Sequence, residues 1–292
     1  MSLNSENSTS QLNNQSFNIQ AAKKLNVMHG WYWINEGFRY FMQAKYIWML
    51  SLFLLAGNVI LLLYILPFAQ IILIFVFPFI AAGLSLACTH IEQGKKITLE
   101  HLIKGFSNPN RLNIFRYGFW LILLMIMAQL ISSILVSMLG VSQEQIMSEL
   151  QLLKNNNSAS FQTIFDSPVL FKYFVITIAV MLPISLINLL SPIILAFSNF
   201  TAPQAIKLSI NAGVKNIAAF ILYMVIYLVI IGIAIVAFKM FNALLLILFS
   251  AGSIIASIIN LTLLFTFWMA FLALTYCSAY VAFKDIFVGE RT

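Results

Sequence analysis

The sequence predicts an all-α polytopic membrane protein with about six transmembrane helices, served by short amphipathic elbow helices that lie in the membrane interface. Three observations predict it. First, hydrophobic residues make up 61% of the 292 residues and charged ones 9%, against about 45–50% and 25% in ordinary globular domains. So much apolar side chain cannot face one soluble core, and a large part of the surface must face lipid. Second, the apolar runs continue for about 20 residues without alternating, which excludes lipid-facing barrel strands. Third, three of these runs are preceded by a short segment that is apolar on one helical face and polar on the other.

Residues 1–25 are rich in Ser, Asn and Gln and read as a disordered cytoplasmic tail. No cleavable signal is visible there, so the first span is expected to serve as its own insertion signal. Lys23 and Lys24 favour an anionic leaflet, by about 1 kcal/mol each. Residues 26–292 read as one membrane domain, with spans at about 47–66, 68–88, 113–139, 172–197, 217–238 and 258–283. The first elbow covers His29 to Lys45. At helical spacing Trp31, Ile34, Phe38, Phe41 and Met42 fall on one side, and Asn35, Glu36, Arg39 and Gln43 on the other. Trp31, Trp33, Phe38 and Phe41 are therefore expected at the membrane interface. Pro67 turns the chain between the first two spans.

The second elbow covers Thr98 to Phe106, with Leu99, Leu102, Ile103 and Phe106 on its apolar face and Phe106 expected at the membrane interface. Thr98 is its expected N-cap, and Ser107 to Asn110 stop it. Beyond the third span, Ser142 to Gln145 form a capping box for a short outer helix striped by Ile146, Leu150 and Leu153, followed by a flexible run at 155–160. The fourth span carries Pro183 and Pro192, which predict a kink. A third elbow starts at the capping box Thr201 to Gln204, with Pro203 in its first turn, and ends between Asn211 and Asn216. Residues 241–283 are uncharged. They can hold two spans, or one span preceded by an apolar segment at 243–257 that is either re-entrant or part of a span. Six spans place thirteen of the sixteen Lys and Arg on the side of the termini, and a seventh would weaken that bias. Six are therefore expected, with both termini cytoplasmic. The elbows allow two accounts: a threefold repeat of elbow, span, return and span, or one bundle whose loops are amphipathic by chance.

No Asp, Glu, Lys, Arg or His falls in the middle of a predicted span. Ion-coupled transporters and proton relays usually keep such a group. Uncharged polar residues remain, and Asn188 and Ser191 between Pro183 and Pro192 form the best candidate for a lined cavity, because a kinked helix frees carbonyls. On the cytoplasmic side Cys88, His90, Glu92, Glu100 and His101 match no compact zinc spacing, and no metal is expected. The two cysteines read as free thiols. Glu36 and Arg39 are spaced to pair with each other. Asp285 is a candidate bridge to Arg39 or Lys104. Phosphate-loop, nucleophile-elbow, zinc-protease and dinucleotide fingerprints are absent, so neither catalysis nor a cofactor is expected. The net charge of +7 marks orientation and membrane lipids as partners, with no nucleic acid.

Two stretches, Gly30 to Arg39 (GWYWINEGFR) and Ser278 to Phe287 (SAYVAFKDIF), together resemble a family of small proteobacterial inner-membrane proteins with about six spans. Here the closing motif carries Ala279, Ala282, Phe283 and Lys284, so its Lys-Asp-Ile-Phe core is the close part. The resemblance implies an inner-membrane location. It also implies a non-enzymatic role in the envelope barrier and in tolerance to a fluoroquinolone, through lipids or other inner-membrane proteins. A transporter or lipid-handling protein with a cavity between hairpins is the alternative.

Overall fold

Backbone N–H and C=O groups in hydrocarbon must be satisfied within their own segment, and long apolar runs meet that demand as helices. A computed structural model describes residues 17–155, 166–249 and 253–288. Within them every regular element is helical: α1 (His29–Gln43), α2 (Lys45–Ile65), α3 (Ala69–Glu92), α4 (His101–Lys104, continued by the 3-10 turn Gly105–Ser107), α5 (Arg111–Met138), α6 (Gln143–Asn155), α7 (Pro168–Ala196), α8 (Ala202–Lys215), α9 (Ile217–Leu248) and α10 (Ile254–Phe287). Among these, α2, α3, α5, α7, α9 and α10 are long and apolar enough to cross a membrane. The chain is a multi-pass membrane protein.

The uncertain stretch at 243–257 divides between two helices. Helix α9 runs past Lys239 to Leu248, and α10 begins at Ile254; residues 250–252 lie outside the described residues. With 32 and 34 residues, these helices are about 48–51 Å long at 1.5 Å per residue. That exceeds a hydrocarbon core of about 30 Å, so the pair projects beyond it. Helix α6 opens with the expected reciprocal box, since Ser142 N donates to Gln145 Oε1 (2.9 Å) and Gln145 N to Ser142 Oγ (3.2 Å). It seats Ile146 in a small cluster with Val136 and Val141. The run expected to be flexible begins at Asn155, and the rest of it falls outside the described residues, as does the side chain of Leu153.

Three units of elbow, span and return are visible in the packing. Each elbow lies against the return span of the unit before it: α4 on α3, α8 on α7, and α1 on α10, where the contact is the most extensive in the protein. The return spans α3, α7 and α10 touch one another, while α2 and α9 make few contacts with the spans that follow them. Consequently the core gathers at the elbow end of the molecule. In α10 the buried residues run from Met269 and Ala273 through Cys277–Phe283 to Phe287, and farther along the spans most apolar side chains are left open to lipid.

The stretch 17–25, expected to be part of a disordered tail, packs on this end instead. Gln20 N donates to Phe287 O and Lys23 N to Ile286 O, both at 3.0 Å. Phe17 meets the rings of Phe197 and Phe283 edge-on, and Ala22 is buried. Phe17, Ile19, Ala22 and Leu25 supply apolar contacts that an average over a polar tail conceals. Residues 1–16 lie outside the described residues.

Candidate functional site

The elbow face, where α1, α4 and α8 meet the ends of α3, α7 and α10, holds most of the polar side-chain bonds between distant segments. Its centre is Asp285, in the last turn of α10. The carboxylate Oδ2 accepts from Trp33 Nε1 and bonds His29 Nδ1, each at 2.7 Å. Asp285 therefore joins the first elbow to the last helix and does not reach Arg39 or Lys104, as the sequence reading had it. Arg39 pairs with Glu36 at 2.7 Å, as the spacing predicted. Lys104 lies beside His101 Nε2 at 3.5 Å.

Trp33, expected in the membrane interface, is fully buried (0% exposed). Its ring lies 4.9 Å from Phe220 and 6.0 Å from Tyr223. The buried face of α1 is Gly30, Trp33, Ile34 and Gly37. Two glycines open it to close approach: a Cβ on Gly37 would stand 2.7 Å from the backbone of Ser278, and one on Gly30 2.2 Å from Ala219 O. Trp31, Phe38 and Met42 are about half exposed along the free edge, and Phe41 is half-buried. Next to this contact, Ser278 Oγ bonds the hydroxyls of Tyr223 (2.8 Å) and Tyr227 (2.9 Å), tying α9 to α10. Glu92, at the end of α3, accepts from Tyr280 OH (2.8 Å) and pairs with Lys284.

The second elbow leaves three of its four apolar-face residues on the outside. Leu99, Ile103 and Phe106 point outward, and the buried positions are His101 and Gly105. The cause is close approach again, because a Cβ on Gly83 would stand 2.2 Å from His101 O. Only small or flat groups fit between α3 and α4. Phe106 remains at the rim, stacked on Phe79 at 4.5 Å. His101 sends Nδ1 back to Thr98, within 3.0 Å of its carbonyl, and Nε2 to His90 Nδ1; Thr98 does not cap the helix.

Among the described residues no three His, Cys, Asp or Glu side chains converge as a metal-binding group. Glu92 is drawn to α10, while Cys88 faces Cys277, with sulfurs 4.0 Å apart and both thiols free. Burial, and then the neighbouring Lys104 ammonium, hold the His101 imidazole below its ordinary pKa. A histidine with a lowered folded pKa takes up its proton more readily in the unfolded state. Stability therefore falls as pH drops through the ordinary imidazole value of about 6.5. We expect acidification from pH 7.5 to 5.5 to lower the melting temperature of the detergent-solubilised protein, and His101→Gln to reduce that sensitivity; an equal sensitivity in the variant counts against the assignment.

The four residues expected to line a cavity in α7 fall on different sides of the helix. Ser191 and Pro192 are buried, and Ser191 Oγ bonds Ser209 Oγ of α8 at 2.9 Å. Pro183 and Asn188 are on the outside, where Asn188 Oδ1 accepts from Tyr117 OH at 3.3 Å. The hydroxyl pair ties α7 to α8 where the two helices cross. Clefts occur elsewhere: one of about 470 Å³ between α5, α6 and Tyr173 of α7, and one of about 620 Å³ where α1 joins α2 beside residues 94–97.

Two asparagines that the sequence marks only as helix stops hold the units together. Asn110, just before α5, donates Nδ2 to the carbonyls of Leu195, Ser198 and Phe200, the segment leading into the third elbow. Asn216, just before α9, donates to Lys23 O (2.9 Å) and accepts from Leu25 N (2.7 Å), in the segment leading into the first. Each grips the chain entering the next elbow. A recurrent Asn at the elbow-to-span joint is the signal that could have found them. No family model, curated protein or solved structure matches this chain.

Proposed function

We propose that the protein is a non-enzymatic integral protein of the bacterial inner membrane, with both termini cytoplasmic. In this reading it supports the envelope barrier, and with it drug tolerance, through contacts of its elbow face with lipid headgroups. The observation that carries the reading is the way this face spends its polar groups. Asp285, Glu92, Glu36, Asn110 and Asn216 bond to other parts of the same chain and build a tied plate. Its rim bears the half-exposed rings of Trp31, Phe38 and Phe106, the side chains that prefer headgroup depth. The excess of Lys and Arg on the same side supports the cytoplasmic orientation.

The test is uptake of an excluded fluorescent dye, together with fluoroquinolone susceptibility, in cells lacking the protein and in cells complemented with it. Loss of the protein should raise both, wild-type chain should restore the barrier, and Trp31→Ala with Phe38→Ala should restore it only in part. An unchanged barrier in the deletion strain overturns the reading.

A further inference from the structure

The three units differ at one equivalent position. The residue joining elbow to span is Asn110 in the second unit and Asn216 in the third, and each fills the joint by gripping the chain that enters the next elbow. In the first unit that residue is Ala44, which stands between α1 and α2 as Asn216 stands between α8 and α9. A methyl group cannot reach the neighbouring segment 94–97. The joint is left open there, as the cleft of about 620 Å³.

The lining of the cleft is selective. Lys45, Lys95 and Lys96 all border it, and among the described residues no carboxylate does. Lys95 and Lys96 are exposed, and the Lys45 ammonium sits 5.2 Å from the ring centre of Tyr46, itself 79% exposed. Apart from Gln43 and Tyr46 the remaining wall is apolar, and it includes Ile91 and Ile97. Lys45 is also the first residue of α2, whose N-terminus meets the carbonyl ends of α1 and α3 at this cleft, so the positive field there comes from the lysines.

We propose that this cleft is a headgroup site for an anionic phospholipid. Three ammonium groups with no acid among them select a phosphodiester. The apolar wall favours a lipid over free phosphate, because a bare ion gains nothing from Ile91 and Ile97 while a diacylglycerol backbone does. Below the cleft α2 leaves Leu50, Phe53 and Leu54 exposed, a path for acyl chains into the bilayer. The site rests on the lipid-contact reading above for its access to a leaflet.

Native mass spectrometry of the full-length protein in detergent, with added phosphatidylglycerol, phosphatidylcholine or inorganic phosphate, tests it. The wild type should retain one phosphatidylglycerol under conditions that strip phosphatidylcholine. Changing Lys45, Lys95 and Lys96 together to Gln should weaken retention about a hundredfold, from three lysines acting on an anionic lipid. Ala44→Asn should also lose the lipid by closing the joint as in the other two units, with every charge kept. Lys207→Gln, outside the cleft, should retain it.

Undiminished retention in both the triple variant and Ala44→Asn overturns the site, and so does equal retention of phosphatidylcholine. Displacement of the lipid by millimolar inorganic phosphate assigns the cleft to the free ion and overturns the lipid. Loss of lipid in these variants with an unaltered dye barrier in cells leaves the site standing and overturns the envelope role.

Discussion

Replacing Asp285 with alanine is expected to destabilise the protein by about 3 kcal/mol. This carboxylate is 18% exposed and bonds the Trp33 indole and the His29 ring at 2.7 Å each. Hydrogen bonds to a charged group contribute about 1.5–3 kcal/mol, and a buried donor left without a partner costs about 1–3 kcal/mol more. Trp33 is fully buried, and its N–H has no second acceptor among the described bonds. Asp285→Asn keeps an acceptor for the indole and should lose less than half as much. Thermal unfolding in detergent, followed by tryptophan fluorescence, reads both variants. Trp33→Phe provides the check, because it removes the N–H together with the need for an acceptor. In that background Asp285→Ala should cost markedly less. Equal losses in the two backgrounds would separate Asp285 from Trp33 and refute the link.

An even larger loss is expected from Gly105→Ala. An added Cβ would stand 1.8 Å from Phe79 O and 2.7 Å from Phe79 C. These are backbone atoms of α3, so no side-chain rotation relieves the overlap, and the elbow must lift away from the helix. Overpacking costs about 1–3 kcal/mol when neighbours can adjust and more when they cannot; about 3 kcal/mol or more is expected here. The same substitution at Gly57 or Gly232 meets nothing within 4 Å and relieves the cost of glycine in a helix, about 0.5–1 kcal/mol. Those variants should be neutral or slightly stabilised. A Gly105→Ala protein with wild-type melting behaviour would show that α4 does not need its close seat on α3.

The contrast between these positions explains what was legible in the sequence. Long spans announce themselves, since each of some 20 apolar residues contributes to the same signal, and all six were placed. The third elbow was equally plain, because Thr201 and Gln204 form a local cap that depends on nothing distant, with Thr201 N bonded to Gln204 Oε1 at 2.8 Å. The first two elbows were found, but the face by which each packs on the rest of the protein was not. A reading by apolarity marks the greasiest stripe, which gave Trp31 and Phe38 for the membrane interface in one case and Leu99 and Ile103 in the other. The protein buries the stripes that hold Gly30 and Gly37, and Gly105, because backbone proximity decides those contacts and glycine has no hydrophobic weight. Asp285 shows the complementary limit: its partners lie more than 250 positions away, and local spacing carries no record of them. The prolines of α7 drew attention to Asn188 and Ser191, yet the nearby Ser209 that closes on Ser191 belongs to another element.

Because α1 packs on α10, the ring of units has its seam between the beginning and the end of the chain. During synthesis the first elbow emerges with Trp33, Ile34, Gly30 and Gly37 all lacking their final neighbours. It must wait at the membrane surface until the last helix has been inserted. The seam then closes as a late step that depends on nearly the whole polypeptide, with Gln20 and Lys23 laying the N-terminal segment across Ile286 and Phe287. A chain cut short before α10 therefore leaves an open first unit as well as a missing last helix, and membrane quality control meets a greasy elbow with no seat.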